Sequence, residues 1–506
     1  MVSAMERLAK DMVDKCGGLP LAIVVLSGLL SHKKGIEEWK KVKTHLWQNI
    51  KDDSIEISYI LSLSYNDLPT VLKQCFLYFG IFPEDHLINV EDLMWLWMAE
   101  GFIPRGEGRM EDAAEGFLNE LIRRSLIQVE DTRWEEVINC RIHDLLRDLA
   151  VQKALEVNFF DIYDPKDNSI SSLCHRHVVN GQAQRYLSLD ISNLKLRSIM
   201  FFDPDFCKVG LINFRNVFQH LYVLHLEIRV GTISIVPDAI GSLYHLKFLS
   251  LTSIHDLPSS IGNLKNLQTL RVLNRFGRLC QLPPETADLI NLRHLAAPYS
   301  KPLKHISKLT SLQVLQDISC DQWKDVDPVD LVNLRELTMY HIKKSYSLNN
   351  IGNLENLSTL ILCCEDDESF PALEYLSSCQ KLHKLFLRGR IEKLPVSDPF
   401  PNSITMMVLC YSKLMEDLMP ILGMLPNLRN LELVAAYKGK EITCGDNSFS
   451  QLEFLRLDSL KKLKRWHLAT SAMPLIKGLG IYDCPKLKEI PQRMKDLEML
   501  KRSNFW

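Results

Sequence analysis

Leucine recurs through the last two-thirds of this chain in one phrase, Leu-x-x-Leu-x-x-Leu-x-Leu, and nothing else in the sequence limits its folding as much. The phrase reads in Leu243, Leu246, Leu249 and Leu251, in Leu331, Leu334, Leu337 and Met339, and in Leu354, Leu357, Leu360 and Leu362. Later copies are Leu425, Leu428, Leu431, Leu433 and Phe449, Leu452, Leu455, Leu457. The closing apolar position falls at 226, 251, 272, 297, about 318, 339, 362, 387, 409, 433, 457 and 481. Intervals of about 20 to 25 residues suit a unit made of one strand and a return segment. One such unit cannot bury its own apolar face, so the units must stack, and about 14 strands are expected.

Strand alternation sends the leucines inward and the residues between them to the concave side. The concave positions include His225, Glu227, Ser250, Arg271, His294, Glu336, Thr338, Tyr340, Lys384, Phe386, Arg388, Glu432, Arg456 and Tyr482. A face mixing Arg, Tyr and Phe suits protein recognition, so Arg271, Tyr340, Lys384, Phe386, Arg388, Arg456 and Tyr482 are the candidate partner-binding residues. Between early strands, Val236-Pro237-Asp238-Ala239-Ile240-Gly241 and Leu257-Pro258-Ser259-Ser260-Ile261-Gly262 should turn the chain back over the convex side.

Bulk charge offers no case for nucleic-acid binding: 60 Lys and Arg stand against 62 Asp and Glu over 506 residues. The balance is uneven, with 18 basic and 26 acidic residues in 1–160, and 12 against 6 in 451–506. The 13 cysteines show no Cys-x-x-Cys spacing, which points to reduced thiols rather than disulfides or a zinc knuckle. Cys174-His175-Arg176-His177 has metal-ligand residue types packed too closely for tetrahedral geometry. The apolar run Leu19–Leu30 is too short to span a bilayer and is expected to be a buried helix.

Ahead of the repeats the periodicity changes to helical. Residues 3–15 form one amphipathic helix, stopped by Gly17-Gly18, and Pro20 starts the next. Further helices are expected from Glu37, from Ile57 to Leu68-Pro69, from Val71 to Phe79, from about Asn89 through Trp97, and from Met110 to Arg124. Ser125–Val129 and Glu136–Ile142 alternate like two strands around a polar turn, and residues 143–155 return to helix. Helices followed by such a wing suggest a winged-helix module over 51–155. Residues 156–184 are polar and aperiodic and read as a junction, after which Tyr186-Leu187-Ser188-Leu189 and Leu196–Phe201 open the repeats.

Three phrases carry a resemblance to a known family. Cys16-Gly17-Gly18-Leu19-Pro20-Leu21-Ala22 is similar to the GLPL motif of plant nucleotide-binding (NB-ARC) leucine-rich-repeat disease resistance proteins of the coiled-coil type. Cys75-Phe76-Leu77-Tyr78-Phe79-Gly80-Ile81-Phe82-Pro83-Glu84-Asp85 resembles their late aromatic motif, and Ile142-His143-Asp144-Leu145 their MHD motif with Ile for Met. The resemblance implies an α/β multidomain chain: the end of a helical NB-ARC subdomain (1–50), a winged-helix subdomain (51–155), a junction (156–184) and a leucine-rich-repeat horseshoe (185–506). It further implies an intracellular immune receptor whose repeats restrain an ADP/ATP switch and sense a pathogen effector or a guarded host protein. Pro20 would then meet the adenine and His143 a phosphate of ADP.

This sequence departs from the family in having no Gly-x-x-x-x-Gly-Lys-Ser/Thr, so Pro20 and His143 would supply half a site. The expectation is an N-terminally truncated receptor that binds neither ADP nor ATP by itself. An LRR adaptor or decoy that works without nucleotide is the alternative. Partners are expected to be proteins, including other receptor domains, in the cytoplasm, with nuclear or membrane-peripheral pools allowed. DNA is disfavoured because residues 89–100 carry Glu91, Asp92 and Glu100 and no Lys or Arg. No nucleophile motif or acid–base pair suggests an enzyme.

Overall fold

The structure, a computed structural model, describes residues 2–499 apart from 49, 52–53, 56, 107, 134–135, 167–169, 190, 192, 203–217, 228–235, 253, 255, 274–280, 322, 324–327, 366, 395–399 and 496. The chain divides into two compact units, one of residues 1–209, 216–230 and 246–248, the other of the remainder.

The first unit opens with helices α1 (Val2–Asp14), α2 (Pro20–Ser31) and α3 (Ile36–Trp47). Gly17 and Gly18 have φ of 61° and 71°, a left-handed bend that glycine adopts without steric cost, and Pro20 occupies the first helical position beyond it. Leu26, Leu29 and Leu30 of α2 are buried with Met12, Val42, Leu46 and Ile60, so the apolar run is a core helix. Helices α4 (Ile57–Asn66), α5 (Thr70–Tyr78), α6 (Val90–Glu100), α7 (Met110–Arg123) and α8 (Asp144–Glu156) follow near their expected limits. The Asn89 side chain accepts from the Asp92 N–H at 3.0 Å, capping α6, and Gly101 closes the helix at φ 79°.

The wing is the antiparallel pair Gln128–Arg133 and Glu136–Arg141, joined by a third short strand, Ile88–Asn89, which two residues of sequence could not signal. Residues 134–135 of its turn lie outside the described residues.

A charge network ties three helices at their ends. Lys33 pairs with Asp67 at 2.5 Å, Arg124 reaches Asp67 at 3.0 Å and Glu120 at 2.9 Å, and His32 stands 3.3 Å from Glu120. Beside it, a Cβ on Gly28 of α2 would lie 2.2 Å from the Arg124 carbonyl oxygen, so only glycine lets the two backbones approach this closely.

Parallel strands begin in this same unit, at Asp161–Tyr163 and Arg176–Val179, and continue with Ser198–Phe202 and Val223–Glu227. The first two fall in the stretch expected to be a junction. They lack the leucine phrase, and their burial rests on Val178, Val179 and Tyr163 instead. The expected strand at Tyr186–Leu189 is corrected to a short helix, α9 (Ala183–Leu187), because Tyr186 turns into the core against Tyr163, His177 and Phe201.

In the second unit strand after strand pairs parallel with its neighbour, from Thr269–Leu273 through Gly478–Tyr482. Over both units sixteen strands among the described residues lie in such ladders, slightly above the number expected. The closing apolar positions Leu251, Val272, Ala297, Ile318, Met339, Leu362, Leu387, Leu409, Leu433 and Leu457 are all buried, as the phrase requires. The return segments are 3-10 turns such as Asp238–Ser242, Ser259–Asn263 and Pro284–Asp288. Successive turns stack so closely that a Cβ on Gly241 would fall 2.4 Å from the Ser260 carbonyl oxygen.

Two periodic devices lock one repeat onto the next. Asn266, Asn291, Asn333, Asn356 and Asn427 each donate a side-chain N–H to the corresponding loop carbonyl one repeat earlier, at 2.6–2.8 Å. At or just beyond the end of the strand, the backbone turns left-handed at Tyr299, Asp317, His341, Gly389, Tyr411, Ala435, Ser459 and Asp483, with Asp317 and His341 at bulges within their strands and the last four 24 residues apart. Only one of these is glycine, so the turn is held by the stacking and not by local preference, at a cost of about 1–2 kcal/mol per residue.

Candidate functional site

Two regions of the first unit hold the residues singled out in sequence. The first is the start of α8. His143 is its N-cap, and the ring Nδ1 accepts the Leu145 N–H at 3.2 Å. That bond leaves Nε2 as the protonated nitrogen of the neutral ring, a donor suited to an anionic oxygen. Behind it, Arg147 is buried and donates from Nε to the Phe82 carbonyl at 2.8 Å, tying α8 to the aromatic phrase. Pro20 is exposed at the first turn of α2, and no hydrogen bond or ring contact joins it to His143 among the described residues.

The second region joins the winged helix to the first parallel strands. Glu100, ending α6, has a side chain only 1% exposed and accepts from Arg176 Nε at 2.8 Å, Ser198 Oγ at 2.5 Å and Tyr78 OH at 3.2 Å. The Arg176 guanidinium lies against the rings of Phe159 at 4.5 Å and Phe102 at 5.3 Å, and donates to the Phe159 carbonyl at 3.2 Å. A second seam runs from the aromatic phrase: Phe82 stacks on His86 at 5.5 Å, both meet Phe202, and His86 and His225 stand 3.8 Å and 4.0 Å from the buried Glu227 carboxylate. The sequence marked Glu100 only as one of the acids that disfavour DNA, since its partners Arg176 and Ser198 lie 76 and 98 residues away.

The remaining aromatics are core. Trp95 and Trp97 are buried in α6 together with Leu93, Leu96 and Met98, so no face of that helix is available to enter a DNA groove. Of the Cys-His-Arg-His phrase, His177 is buried with both ring nitrogens engaged, Nδ1 by Tyr186 OH at 2.9 Å and Nε2 by the Ser171 carbonyl at 3.1 Å. No group of three or more metal-ligating side chains occurs among the described residues. The described cysteines are free thiols, and burial pushes those of Cys140, Cys320 and Cys363 up to about 12.

On the repeats, strand register sorts the candidate partner-binding residues into three groups. Arg271 neighbours Ala296, which neighbours Gln316, and Tyr340 neighbours Ser319. The small Ala296 lets the Arg271 charge act on Asp317, at the bulge in the strand Val314–Ser319. Burial raises the Asp317 carboxyl, while Arg271 and a hydrogen bond from the Tyr340 hydroxyl work against that rise. Tyr299 meets the Tyr340 ring edge-on at 5.4 Å, and Arg388, across the small Cys363, bears on the same tyrosine. Arg271 and Arg388 therefore act from opposite sides on the Asp317–Tyr340 pair. Asp317 and Tyr299 carried no sequence signal, because Asp317 sits at a left-handed bulge that breaks the alternation of its strand and Tyr299 on a left-handed turn beyond one.

Phe386 lies between Ile361 and Val408 in an apolar row, with Lys384 between Thr359 and Met406. Arg456 is buried, with NH2 2.8 Å from Asp458, NH1 3.4 Å from Glu432 and its guanidinium 5.4 Å from the Tyr482 ring. The expectation that every concave position is exposed is corrected here: Ser250, His294, Thr338, Phe386, Glu432 and Arg456 are all buried. Parallel strands stand only about 4.8 Å apart, so side chains on one face shield their neighbours unless a small residue leaves a gap.

Comparison with known proteins agrees with this architecture. A model described as a leucine-rich repeat region matches residues 195–503, and one described as a disease resistance protein winged helix domain matches 81–150. The chain belongs to the leucine-rich-repeat disease resistance family. Among relatives of this family member, the putative disease resistance RPP13-like protein 3 of Arabidopsis thaliana is 36% identical over 97% of the chain and 58% of its own length. The disease resistance protein RPP8 of the same plant is 32% identical over 98% and 58%. The chain thus spans less than two-thirds of the length of these curated relatives. Among solved structures, an internalin from Listeria monocytogenes is 18% identical, with a TM-score of 0.41, over 62% of this chain and 83% of its own.

Proposed function

We propose that this family member is the winged-helix and sensing portion of a plant immune receptor, in which the repeats recognise a protein and the winged helix reports that event to a nucleotide switch. The observation that carries it is the Glu100–Arg176–Ser198 junction. A winged helix joined to the first parallel strands by a buried charged hub transmits displacement of those strands directly to α6. The role is that of a receptor and not of an enzyme.

His143 and Pro20 are this chain's own contribution to an ADP site. The His143 Nε2–H would donate to a phosphate oxygen, and the exposed Pro20 ring at the start of α2 would lie against the base. ADP, when bound, supplies the anion that distinguishes the resting state. The glycine-lysine loop that wraps phosphates is not in this sequence, so calorimetry on this chain should show no micromolar ADP binding. Micromolar binding would overturn the half-site assignment. No described helix is long and apolar enough to cross a membrane, and the reading places the receptor in the cytoplasm.

The test is a chimaera in which this chain replaces the corresponding part of the RPP13-like relative, expressed in leaf tissue. Silence at rest and cell death under challenge by one of a panel of pathogen strains support the reading. An accumulated chimaera that is inert to all of them, or lethal at rest, overturns it.

A further inference from the structure

The last repeats carry a periodic array of lysines on one side, away from the concave strands. We propose that Lys438, Lys440, Lys462, Lys464, Lys486 and Lys488 form a docking face for an anionic lipid surface. The proposal is independent of what the concave face recognises.

Repetition builds the array. The backbone turns left-handed at Ala435, Ser459 and Asp483, and a lysine stands three and five residues beyond each turn. The three turns are held in line. Glu441 pairs in parallel with Arg465, and the Lys464 N–H donates to the Lys440 carbonyl at 2.7 Å. The bond from the Leu463 N–H to the Leu460 carbonyl recurs one repeat later from Leu487 to Cys484, both at 3.1 Å. Leu463, Tyr437 and Trp466 are buried beneath, while all six lysines are exposed. Neighbouring strands stand about 4.8 Å apart and residues two apart in a strand about 7 Å, so adjacent lysines are rooted within about one Debye length of each other. Their fields therefore add.

Charge is unbalanced there. Segments 438–441, 461–465 and 483–489 hold eight basic residues against three acids. Two of those acids are answered locally, Glu441 by Arg465 and by His467 at 3.3 Å, and Asp483 by Lys461. Of the three, Glu489 is left to oppose six ammonium groups. None of the six makes an ion pair or side-chain hydrogen bond among the described residues. The whole chain has a net charge of -2, so an anionic surface is drawn to this patch and not to the bulk field.

Residue type selects the partner. Lysine is depleted at protein interfaces, where arginine and aromatic rings supply the anchors. Tyr437 and Trp466 are buried and offer no ring on which a base could stack. Lysine's compact charge on a flexible stem needs no fixed fork geometry, which suits the mobile headgroups of a negatively charged leaflet. An array of six falls within the cluster size that holds a chain to such a leaflet.

The experiment sediments the full chain with vesicles of phosphatidylcholine and with vesicles of an equal mixture of phosphatidylcholine and phosphatidylserine. The mixed vesicles should bind the chain and release it as salt rises, while phosphatidylcholine alone should not bind it. The triple variant Lys440→Gln, Lys464→Gln, Lys488→Gln should bind about a hundredfold more weakly, since each lysine near an anionic leaflet contributes roughly a factor of five. Lys265→Gln, Lys304→Gln and Lys381→Gln together, an equal charge change at exposed positions of other repeats, should leave binding within about twofold. Hydrogen exchange on the unmodified chain gives a readout independent of variant folding: mixed vesicles should slow exchange in 441–444 and 465–468 but not in 314–319. Equal binding to both kinds of vesicle, or equal loss in the two triple variants, overturns the proposal. Tighter binding to random duplex DNA or to polyglutamate, lost in the first triple variant, overturns the lipid assignment in favour of that polyanion.

Discussion

The carboxylate of Glu100 accepts a 2.8 Å hydrogen bond from Nε of Arg176, joining the end of α6 to a strand 76 residues later in the chain. The acid is desolvated and the base largely so, and both are surrounded by partners: Ser198 and Tyr78 on the acid, Phe159 and Phe102 on the base. A pair closed in this way gives little net stability compared with an apolar replacement, yet it is costly to break from one side.

Glu100→Ala should therefore destabilise the first unit by about 2–4 kcal/mol, at or below the range for a fully buried pair because Arg176, left without its acid, keeps a partly exposed side chain. Urea unfolding, with hydrogen exchange followed in 90–100 and 176–179, measures it. A loss below about 1 kcal/mol, the size of an exposed ion pair, would show that the junction is not buried as described.

Two glycine substitutions should move stability in opposite directions. Gly28→Ala drives a Cβ into the Arg124 carbonyl and should cost about 1–3 kcal/mol by overpacking α2 against the end of α7. Gly116→Ala, inside α7 with nothing within 4 Å, should gain about 0.5–1 kcal/mol of helix propensity. Thermal melts of both variants decide the matter, and a stabilised Gly28→Ala would refute the close approach.

His177 should make the first unit acid-sensitive. Burial lowers its folded-state affinity for a proton below the ordinary histidine value, while the nearby Asp161 and its bond to Ser171 oppose this only in part. The unfolded chain then binds more protons than the folded one, so the stabilisation is complete above the ordinary histidine range. It declines as pH falls from there toward the lowered folded value. His177→Gln should flatten the pH dependence of unfolding between about pH 7 and pH 5, and an unaltered profile would count against it.

Within the repeats, Leu455→Ala should cost about 2–5 kcal/mol, since the side chain is fully buried between neighbouring strands. Exchange should quicken in 430–434 and 478–482, the flanking strands, because each repeat is supported mainly by its neighbours. Leu475→Ala, at a half-exposed leucine, should change stability by no more than about 0.5 kcal/mol.

Much of the architecture was legible from residue order. The leucine phrase repeats because one apolar stripe must meet the next, so its period announced the ladder and named the buried residue of nearly every strand. Asn89, the Gly17-Gly18 pair and Pro20 marked helix ends through local backbone chemistry that needs no distant partner. Strands without the phrase were missed, as at Arg176–Val179, since a few buried apolar residues carry no period.

The candidate site divided differently. Arg271, Tyr340 and Arg388 were visible as strand residues facing away from the leucines, but which of them bear on Asp317 and on one another depends on register across six successive strands, with the small Ala296 and Cys363 between them. Arg456, equally well placed in sequence, is buried by Glu432 and Asp458. By itself, then, the sequence determined what repeats, what lies inside and where helices begin, because these follow from periodicity and backbone preference. Only the tertiary structure decided which charges are paired and which concave side chains meet solvent, because burial and pairing are properties of neighbours brought together from far along the chain.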